Sequence, residues 1–191
     1  MINKICVFCG SSFGSNELYK HEVEKIGRLF GENGIELIYG GGNSGLMGAL
    51  SKTTLESGGK VTGIIPKKIH EQVDHIDLTE LHIVETMHER KNMMYNLADA
   101  FIALPGGIGT LEELAEIFTW QQIGYHQKPV AVWNINQFYN PFRDLLLHMV
   151  REGFMKKEFL ENLIVDDNLE EIMMQLKTYN PSQHNKWEKP N

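Results

Sequence analysis

The segment at residues 100–113, AFIALPGGIGTLEE, contains the pattern on which the fold assignment rests. An apolar run of strand length, AFIALP, leads through three glycines and Thr110 into a sequence of helical period. This order predicts a buried strand, a tight glycine turn and a helix from residue 110 to about 123. A strand followed directly by a helix is the repeating unit of parallel α/β sheets.

The same unit recurs along the whole chain. The predicted strands are residues 4–10, 35–40, 60–66, 81–85, 100–105, 129–134 and 163–165, and the predicted helices are residues 16–32, 44–57, 86–97, 110–123, 137–152 and 169–177. Residues 67–80 are polar and are predicted to be irregular. The alternation predicts an α/β fold, a doubly wound parallel sheet with helices on both faces. We expect one domain over residues 1–180 and a flexible tail at residues 181–191.

Composition and charge narrow the classes of function. Of the 191 residues, 42% are apolar, which is enough for one sizeable core, and the formal net charge is −7. This charge disfavours a general attraction to nucleic acid or to an anionic membrane. No apolar run approaches a membrane span or a signal peptide. We therefore expect a cytoplasmic protein whose partner is a small molecule.

Metal and redox sites are not indicated. Cys6 and Cys9 are three residues apart in the first predicted strand, so their side chains should point to opposite faces of the sheet. The sequence has no second cysteine pair, and its histidines show no H-E-x-x-H spacing. We therefore expect no metal and no other cofactor.

Three glycine-rich turns each follow a predicted strand, at residues 9–16, 40–48 and 105–110. Because the carboxyl ends of parallel strands meet at one edge of the sheet, these turns should converge on one site. Glycine permits close approach of a ligand to the backbone, and the helix N-terminus behind it offers free N–H groups to an anion. The three turns together predict a phosphate-binding site.

The glycine turns lack features that two classes of nucleotide site require. A G-x-G-x-x-G pattern is present at Gly40, Gly42 and Gly45, but it follows the second strand, and the third ends without an acidic residue for a ribose hydroxyl. This disfavours NAD. No turn ends in the G-K-[ST] of a P-loop, which disfavours an ATPase. A site for one phosphate remains, suited to a mononucleotide or a sugar phosphate.

The helix predicted from residue 86 begins with unusual charges. Thr86 and Glu89 fit a T-x-x-E capping box, which gives Glu89 a structural role. Arg90 and Lys91 follow directly, and cations in a first helical turn oppose the helix dipole. Two such residues together indicate an anion or a carboxylate as their partner.

Glu113 has two interpretations. With Thr110 as N-cap, TLEE is a second capping box, in which the Glu113 carboxylate accepts a hydrogen bond from the Thr110 amide. Alternatively, the carboxylate could stabilise positive charge on a sugar ring or activate a water during N-glycoside cleavage. The glycine turns would then hold the phosphate at the far end of the ribose. A contact of Glu113 with Thr110 or with the crevice distinguishes the two.

The motifs resemble those of the LOG family, the cytokinin-activating nucleoside 5′-monophosphate phosphoribohydrolases that are often labelled lysine decarboxylases. PGGIGTLEE fits the family signature P-G-G-x-G-T-x-x-E, and the resemblance, from about residue 4 to residue 165, includes CVFCGSS, GGGNSGLMG, MHERK and EIFTWQQIGYHQKPV. It implies a Rossmann-like fold, usually a homodimer. It also implies hydrolysis of the N-glycosidic bond of adenosine 5′-monophosphates, N6-modified ones included, to free base and ribose 5-phosphate.

The resemblance implies catalytic roles for Arg90 and Glu113. The candidate substrate-binding residues are Ser11, Gly41, Gly42, Gly45, Glu71, Met87, Lys91, Gly106, Gly107, Ile108, Gly109, Thr110, Glu112 and Thr119. The family often carries a glutamate after the third strand, and here Gln72 aligns with it beside Glu71, which leaves base preference open. The alternative function is a non-catalytic carrier or sensor of a phosphorylated nucleotide-like cofactor, such as the molybdenum cofactor.

Overall fold

A computed structural model describes residues 2–74 and 76–181 and contains a seven-stranded sheet. Its strands are β1 (Lys4–Phe8), β2 (Glu36–Tyr39), β3 (Val61–Pro66), β4 (Glu80–Val84), β5 (Ala100–Ala103), β6 (Val130–Trp133) and β7 (Leu163–Asp166). Its helices are α1 (Glu17–Glu32), α2 (Gly45–Glu56), α3 (Lys67–His70), α4 (Met87–Leu97), α5 (Ile108–Gln122), α6 (Asn140–Arg151), α7 (Lys157–Glu161) and α8 (Leu169–Thr178), with a 3₁₀ turn at Ile135–Gln137. Neighbouring strands pair in parallel throughout.

The strand order places a ligand crevice at the centre of the sheet. The order is β4-β3-β2-β1-β5-β6-β7, so the chain builds outward from β1 to β4 and then crosses to the other side of β1 with β5. The direction of winding therefore reverses between β1 and β5, where Cys6 pairs with Phe101 and Phe8 with Ala103. Ligands of such sheets bind beyond the carboxyl ends of the strands at this reversal.

Two hydrophobic clusters cover the two faces of the sheet. Ile5 and Leu37 pack on one face with α1, α2 and α8, and Phe101 packs on the other with α4, α5 and α6. The predicted doubly wound parallel α/β fold is confirmed. Cys6 and Cys9 are free, buried thiols in different clusters, which confirms that they point to opposite faces.

Several element boundaries differ from the prediction. Helix α5 begins at Ile108, two residues earlier than predicted, because Gly109 has a low helix propensity and hides the helix start in the sequence. The segment predicted to be irregular contains α3, and α7 was not predicted, since helices of four or five residues are too short to show an apolar period. The helix predicted from residue 137 begins at Asn140. Of the predicted tail, residues 182–191 lie outside the described residues.

Among residues 2–74 and 76–181, no helix has the length and apolar character needed to cross a membrane.

Candidate functional site

The three glycine turns meet at Gly10. Its carbonyl oxygen accepts hydrogen bonds from the Leu46 amide at 3.1 Å and the Met47 amide at 3.3 Å, which join the turn after β1 to the start of α2. Its own amide donates to the Pro105 carbonyl at 3.1 Å, which joins it to the turn after β5. The predicted convergence of the three turns at the carboxyl edge of the sheet is therefore confirmed.

Close backbone packing explains the glycine at the start of α2. Gly45 has a φ of +56°, in the left-handed region that favours glycine. A Cβ atom at this position would also overlap the backbone of Ser11 and Ser12. The turn after β1 and the start of α2 can approach each other in this way only without a side chain at residue 45.

A cleft of about 490 Å³ opens where the turns meet. Its lining contains ten of the predicted site residues: Ser11, Gly42, Met87, Arg90, Gly107, Ile108, Gly109, Thr110, Glu112 and Glu113. It also contains six residues that were not assigned to the site: Cys9, Gly40, Ser44, Met47, Ile69 and Val73. Ile69 lies in α3 and Val73 lies three residues after its end, so a four-residue helix offered no periodic signal that these apolar side chains would line the cleft.

Arg90 and Glu113 form an ion pair at this cleft, with 2.6 Å between Arg90 Nη1 and Glu113 Oε1. Both side chains are almost buried, at 10% and 12% exposure. Arg90 Nε also donates to the Ile64 carbonyl oxygen at 3.2 Å, which anchors the guanidinium to the end of β3. A Cβ atom at Gly40 would collide with Arg90 Nη2, so the glycine after β2 makes room for the guanidinium.

Two features of its environment shift the pKa of Glu113 in opposite directions. Burial raises the pKa of its carboxyl above the ordinary value, and the adjacent Arg90 guanidinium opposes this rise through its charge and its hydrogen bond. A desolvated carboxylate held by one cation is a stronger base than an exposed one. It is also suited to stabilising positive charge that develops within the cleft.

The capping-box interpretation of Glu113 is wrong. The N-cap of α5 is Gly107, so Thr110 lies inside the helix, where its side chain packs against Gly106. The Glu113 carboxylate bonds to Arg90 rather than to the Thr110 amide. The helix begins too early for Thr110 to be its cap, and the carboxylate therefore faces the cleft.

The capping role of Thr86 is confirmed. Its hydroxyl accepts a hydrogen bond from the Glu89 amide at 3.1 Å. The Glu89 carboxylate accepts from the Glu85 amide at 2.9 Å, one residue before the N-cap, so the box closes one residue earlier than the usual pattern.

Lys91 has two carboxylate partners on α5. Its Nζ lies 2.7 Å from Glu112 Oε1 and 2.9 Å from Glu116 Oε1. Burial favours the neutral amine, but the hydrogen bonds and charges of the two carboxylates outweigh it and raise the pKa of Lys91. The prediction that the two cations of α4 indicate anionic partners is confirmed, since Arg90 and Lys91 each pair with a carboxylate of α5.

The remaining predicted residues do not line the cleft. Gly41 and Gly106 lie behind its surface, packed against Ile65 and against Thr110 respectively. Glu71 is exposed at the end of α3, and Thr119 is exposed near the far end of α5.

No group of three or more histidine, cysteine, aspartate and glutamate side chains could hold a metal ion in the part of the chain that the structure describes.

A parallel sheet with a cleft that contains glycine turns and an ion pair at its winding reversal places the chain among Rossmann-like α/β proteins. The model of the family described as "Possible lysine decarboxylase" matches residues 47–176. The chain is 42% identical, over 93% of its length and 74% of the relative's, to cytokinin riboside 5′-monophosphate phosphoribohydrolase LOG of Oryza sativa subsp. japonica. It is also 42% identical, over 87% of its length and 85% of the relative's, to a cytokinin riboside 5′-monophosphate phosphoribohydrolase of Rhodococcoides fascians. The chain belongs to this LOG family.

Solved structures support the fold. The molybdenum cofactor binding protein of Rippkaea orientalis superposes with a TM-score of 0.70 at 21% identity, over 93% of this chain and 97% of that one. The molybdenum cofactor carrier protein of Chlamydomonas reinhardtii superposes with a TM-score of 0.68 at 17% identity, over the same shares. At these identities the likeness extends to the fold alone.

Proposed function

We propose that this protein hydrolyses the N-glycosidic bond of adenosine 5′-monophosphates, N6-modified ones included, to free base and ribose 5-phosphate. The observation that carries the proposal is the almost buried Arg90–Glu113 pair beside the glycine turns. The activity named for relatives at about 40% identity agrees with it.

In this proposal the phosphate binds at the turn that opens α5. Residues 107–110 line the cleft, and the first amides of α5 have no partner within the helix, so they can donate to an anion. Ser11 and Gly42 lie across the same cleft and contribute to the cradle from the other two turns. Gly41, Gly45 and Gly106 shape the backbone behind it.

Glu113 acts at the other end of the ribose. Cleavage of the bond to the base builds positive charge on the sugar ring, which a carboxylate beside the anomeric carbon stabilises. The same carboxylate can accept a proton from the attacking water, whose oxygen bonds to the anomeric carbon as the bond to the base breaks, and this proton then passes to the departing base. Arg90 orients Glu113 and keeps it ionised, and Lys91 in turn orients Glu112 at the edge of the cleft. The roles of Thr119 and Glu71 in substrate binding stay predictions.

Replacing Glu113 tests this mechanism. In Glu113→Gln the amide keeps an oxygen that can accept from Arg90 but loses the charge, so turnover of AMP and of N6-isopentenyl-AMP should fall by about 10²–10⁴-fold with the fold intact. Glu36→Gln is the matched control, because Glu36 is a partly buried carboxylate paired with Lys4 at 3.1 Å and lies on β2, outside the cleft lining. It should retain activity within threefold. A Glu113→Gln protein as active as the control would exclude the catalytic role.

A carrier or sensor of a phosphorylated cofactor is the alternative. Such a protein would bind its ligand without turnover and would not require an ion pair aimed at a sugar. Incubation of the native protein with both nucleotides, followed by chromatography for free base and ribose 5-phosphate, separates the two functions. Absence of product with either nucleotide at high protein concentration would favour the carrier.

We further propose that the protein is a cytoplasmic homodimer, as the family resemblance implies. Light scattering of the purified protein measures the oligomeric state directly.

A further inference from the structure

The connection between β6 and α6 adopts an uncommon backbone conformation. Asn136 and Gln137 have φ values of 51° and 59°, and neither is a glycine. Two successive residues in the left-handed region are strained and persist only where surrounding contacts hold them. Here Asn134 Oδ1 accepts from the Tyr139 amide at 2.7 Å, Asn134 Nδ2 donates to Asn140 Oδ1 at 2.8 Å, and Asn140 Nδ2 donates to Gln137 Oε1 at 3.1 Å.

This turn directs Tyr139 towards the start of the glycine turn after β5. The tyrosine is 4% exposed, and its hydroxyl donates to the Leu104 carbonyl oxygen at 2.7 Å. Leu104 immediately precedes Pro105 and the two glycines. Burial raises the pKa of Tyr139 well above the ordinary value, so the hydroxyl remains a hydrogen-bond donor at physiological pH.

The anchored carbonyls determine where the following amides point. In a planar trans peptide the C=O and the N–H point in opposite directions. The Gly10 amide holds the Pro105 carbonyl at 3.1 Å, so the Gly106 amide points away from Gly10. The Tyr139 hydroxyl holds the carbonyl oxygen of the preceding peptide, between Leu104 and Pro105. This peptide has no N–H group, because its nitrogen belongs to a proline. The Leu104 amide also donates to the Phe8 carbonyl at 2.9 Å, so the turn is held by backbone bonds to the end of β1 and by one side chain from a distant element.

We propose that Tyr139 is a positioning residue for the phosphate site, because its hydroxyl bond to the Leu104 carbonyl orients the glycine turn that leads into the cleft lining at Gly107. This inference rests on the proposed function. Tyr139 is absent from the cleft lining and acts only through the turn.

The substitution Tyr139→Phe removes the hydroxyl and keeps the ring. We measure binding of ribose 5-phosphate and of adenine by calorimetry, together with AMP hydrolysis, on the full chain. The dissociation constant for ribose 5-phosphate should rise roughly three- to tenfold, the loss expected for one hydrogen bond, while that for adenine stays within twofold of the wild type. The KM for AMP should rise by a similar factor.

Tyr179→Phe is the matched control. The Tyr179 hydroxyl accepts a hydrogen bond from Gln121 Nε2 at 3.0 Å. Gln121 is the second-last residue of α5, and neither residue lines the cleft. Loss of this hydroxyl should leave binding of both ligands unchanged, although both variants lose a hydrogen bond of similar length.

The outcomes separate this inference from the proposed function. An active wild-type protein whose Tyr139→Phe variant binds ribose 5-phosphate within twofold of normal overturns the role of Tyr139 alone. Equal weakening of ribose 5-phosphate and adenine also overturns it, because that pattern indicates a general structural effect. A wild-type protein that neither releases base nor binds ribose 5-phosphate overturns the proposed function and this inference together.

Discussion

Gly40 controls the position of the Arg90 guanidinium, and the addition of a single methyl group at residue 40 tests this. In Gly40→Ala the new Cβ would overlap Arg90 Nη2 and lie 3.3 Å from Cζ, whereas its contact with Met47 Sδ, at 3.6 Å, would be ordinary. The guanidinium must therefore recede by about 1 Å to reach a normal van der Waals separation. Because Arg90 Nη1 is only 2.6 Å from Glu113 Oε1, a shift of that size stretches or breaks the ion pair.

The expected effect of Gly40→Ala is larger on catalysis than on stability. A displacement of about 1 Å in a catalytic constellation can cost about 10²-fold in rate, so kcat/KM for AMP should fall by roughly that factor. The hydrogen bond between two charged groups is worth about 1.5–3 kcal/mol, and part of it can re-form through a water or a new rotamer. We therefore expect thermal unfolding to show a loss of only about 1–2 kcal/mol in the free energy of unfolding.

A double-mutant cycle with Arg90→Met separates this mechanism from a general disturbance of the loop after β2. If the alanine acts through the guanidinium, adding Gly40→Ala to Arg90→Met should change kcat/KM by less than about threefold, because the interaction is already absent. Full additivity of the two substitutions would refute the reasoning. Activity of Gly40→Ala within threefold of the wild type would refute it as well.

Three further predictions concern pH, a glycine turn and a helix cap. In the proposed mechanism the ionised form of Glu113 is the active one, so activity should rise with pH through the pKa of Glu113. Arg90→Gln removes the cation that lowers this pKa, and the acid limb of kcat/KM should therefore move to higher pH. An unmoved limb would contradict the coupling. Gly45→Ala places a Cβ atom at a residue whose φ is +56° and where this atom would overlap the backbone. It should lower the free energy of unfolding by at least about 2 kcal/mol more than Gly34→Ala, where φ is +66° and no atom lies within 4 Å. Equal losses in urea unfolding would argue against the overlap. Thr86→Ala removes the N-cap of α4 and should cost about 1 kcal/mol, seen as a fall of about 2–4 °C in Tm; no change would mean that the cap bond contributes nothing.

The alternation of strands and helices was readable from the sequence because it depends on local periodicity and turn chemistry. Apolar runs such as AFIALP, each followed by glycines and a helical pattern, predicted the parallel sheet and the edge at which a ligand would bind. The adverse placement of Arg90 and Lys91 at a helix N-terminus predicted anionic partners, since the helix dipole is a local property. Short elements such as α3 and α7 escaped prediction because one helical turn is too short to display a period.

Only the tertiary structure determined which side chains and backbone groups these site residues contact. The sequence allowed Glu113 to cap its own helix or to face the cleft, and the choice depended on where α5 begins and on the packing of α4 beside it. Gly40 leaves space for Arg90, which is 50 positions away in the sequence, and the hydrogen bond from Tyr139 to Leu104 joins residues that are 35 positions apart. Local patterns determine which elements form, whereas contacts between distant side chains depend on how those elements pack. The sequence by itself thus determined the sheet and its glycine edge, and only the packed chain determined which groups meet there.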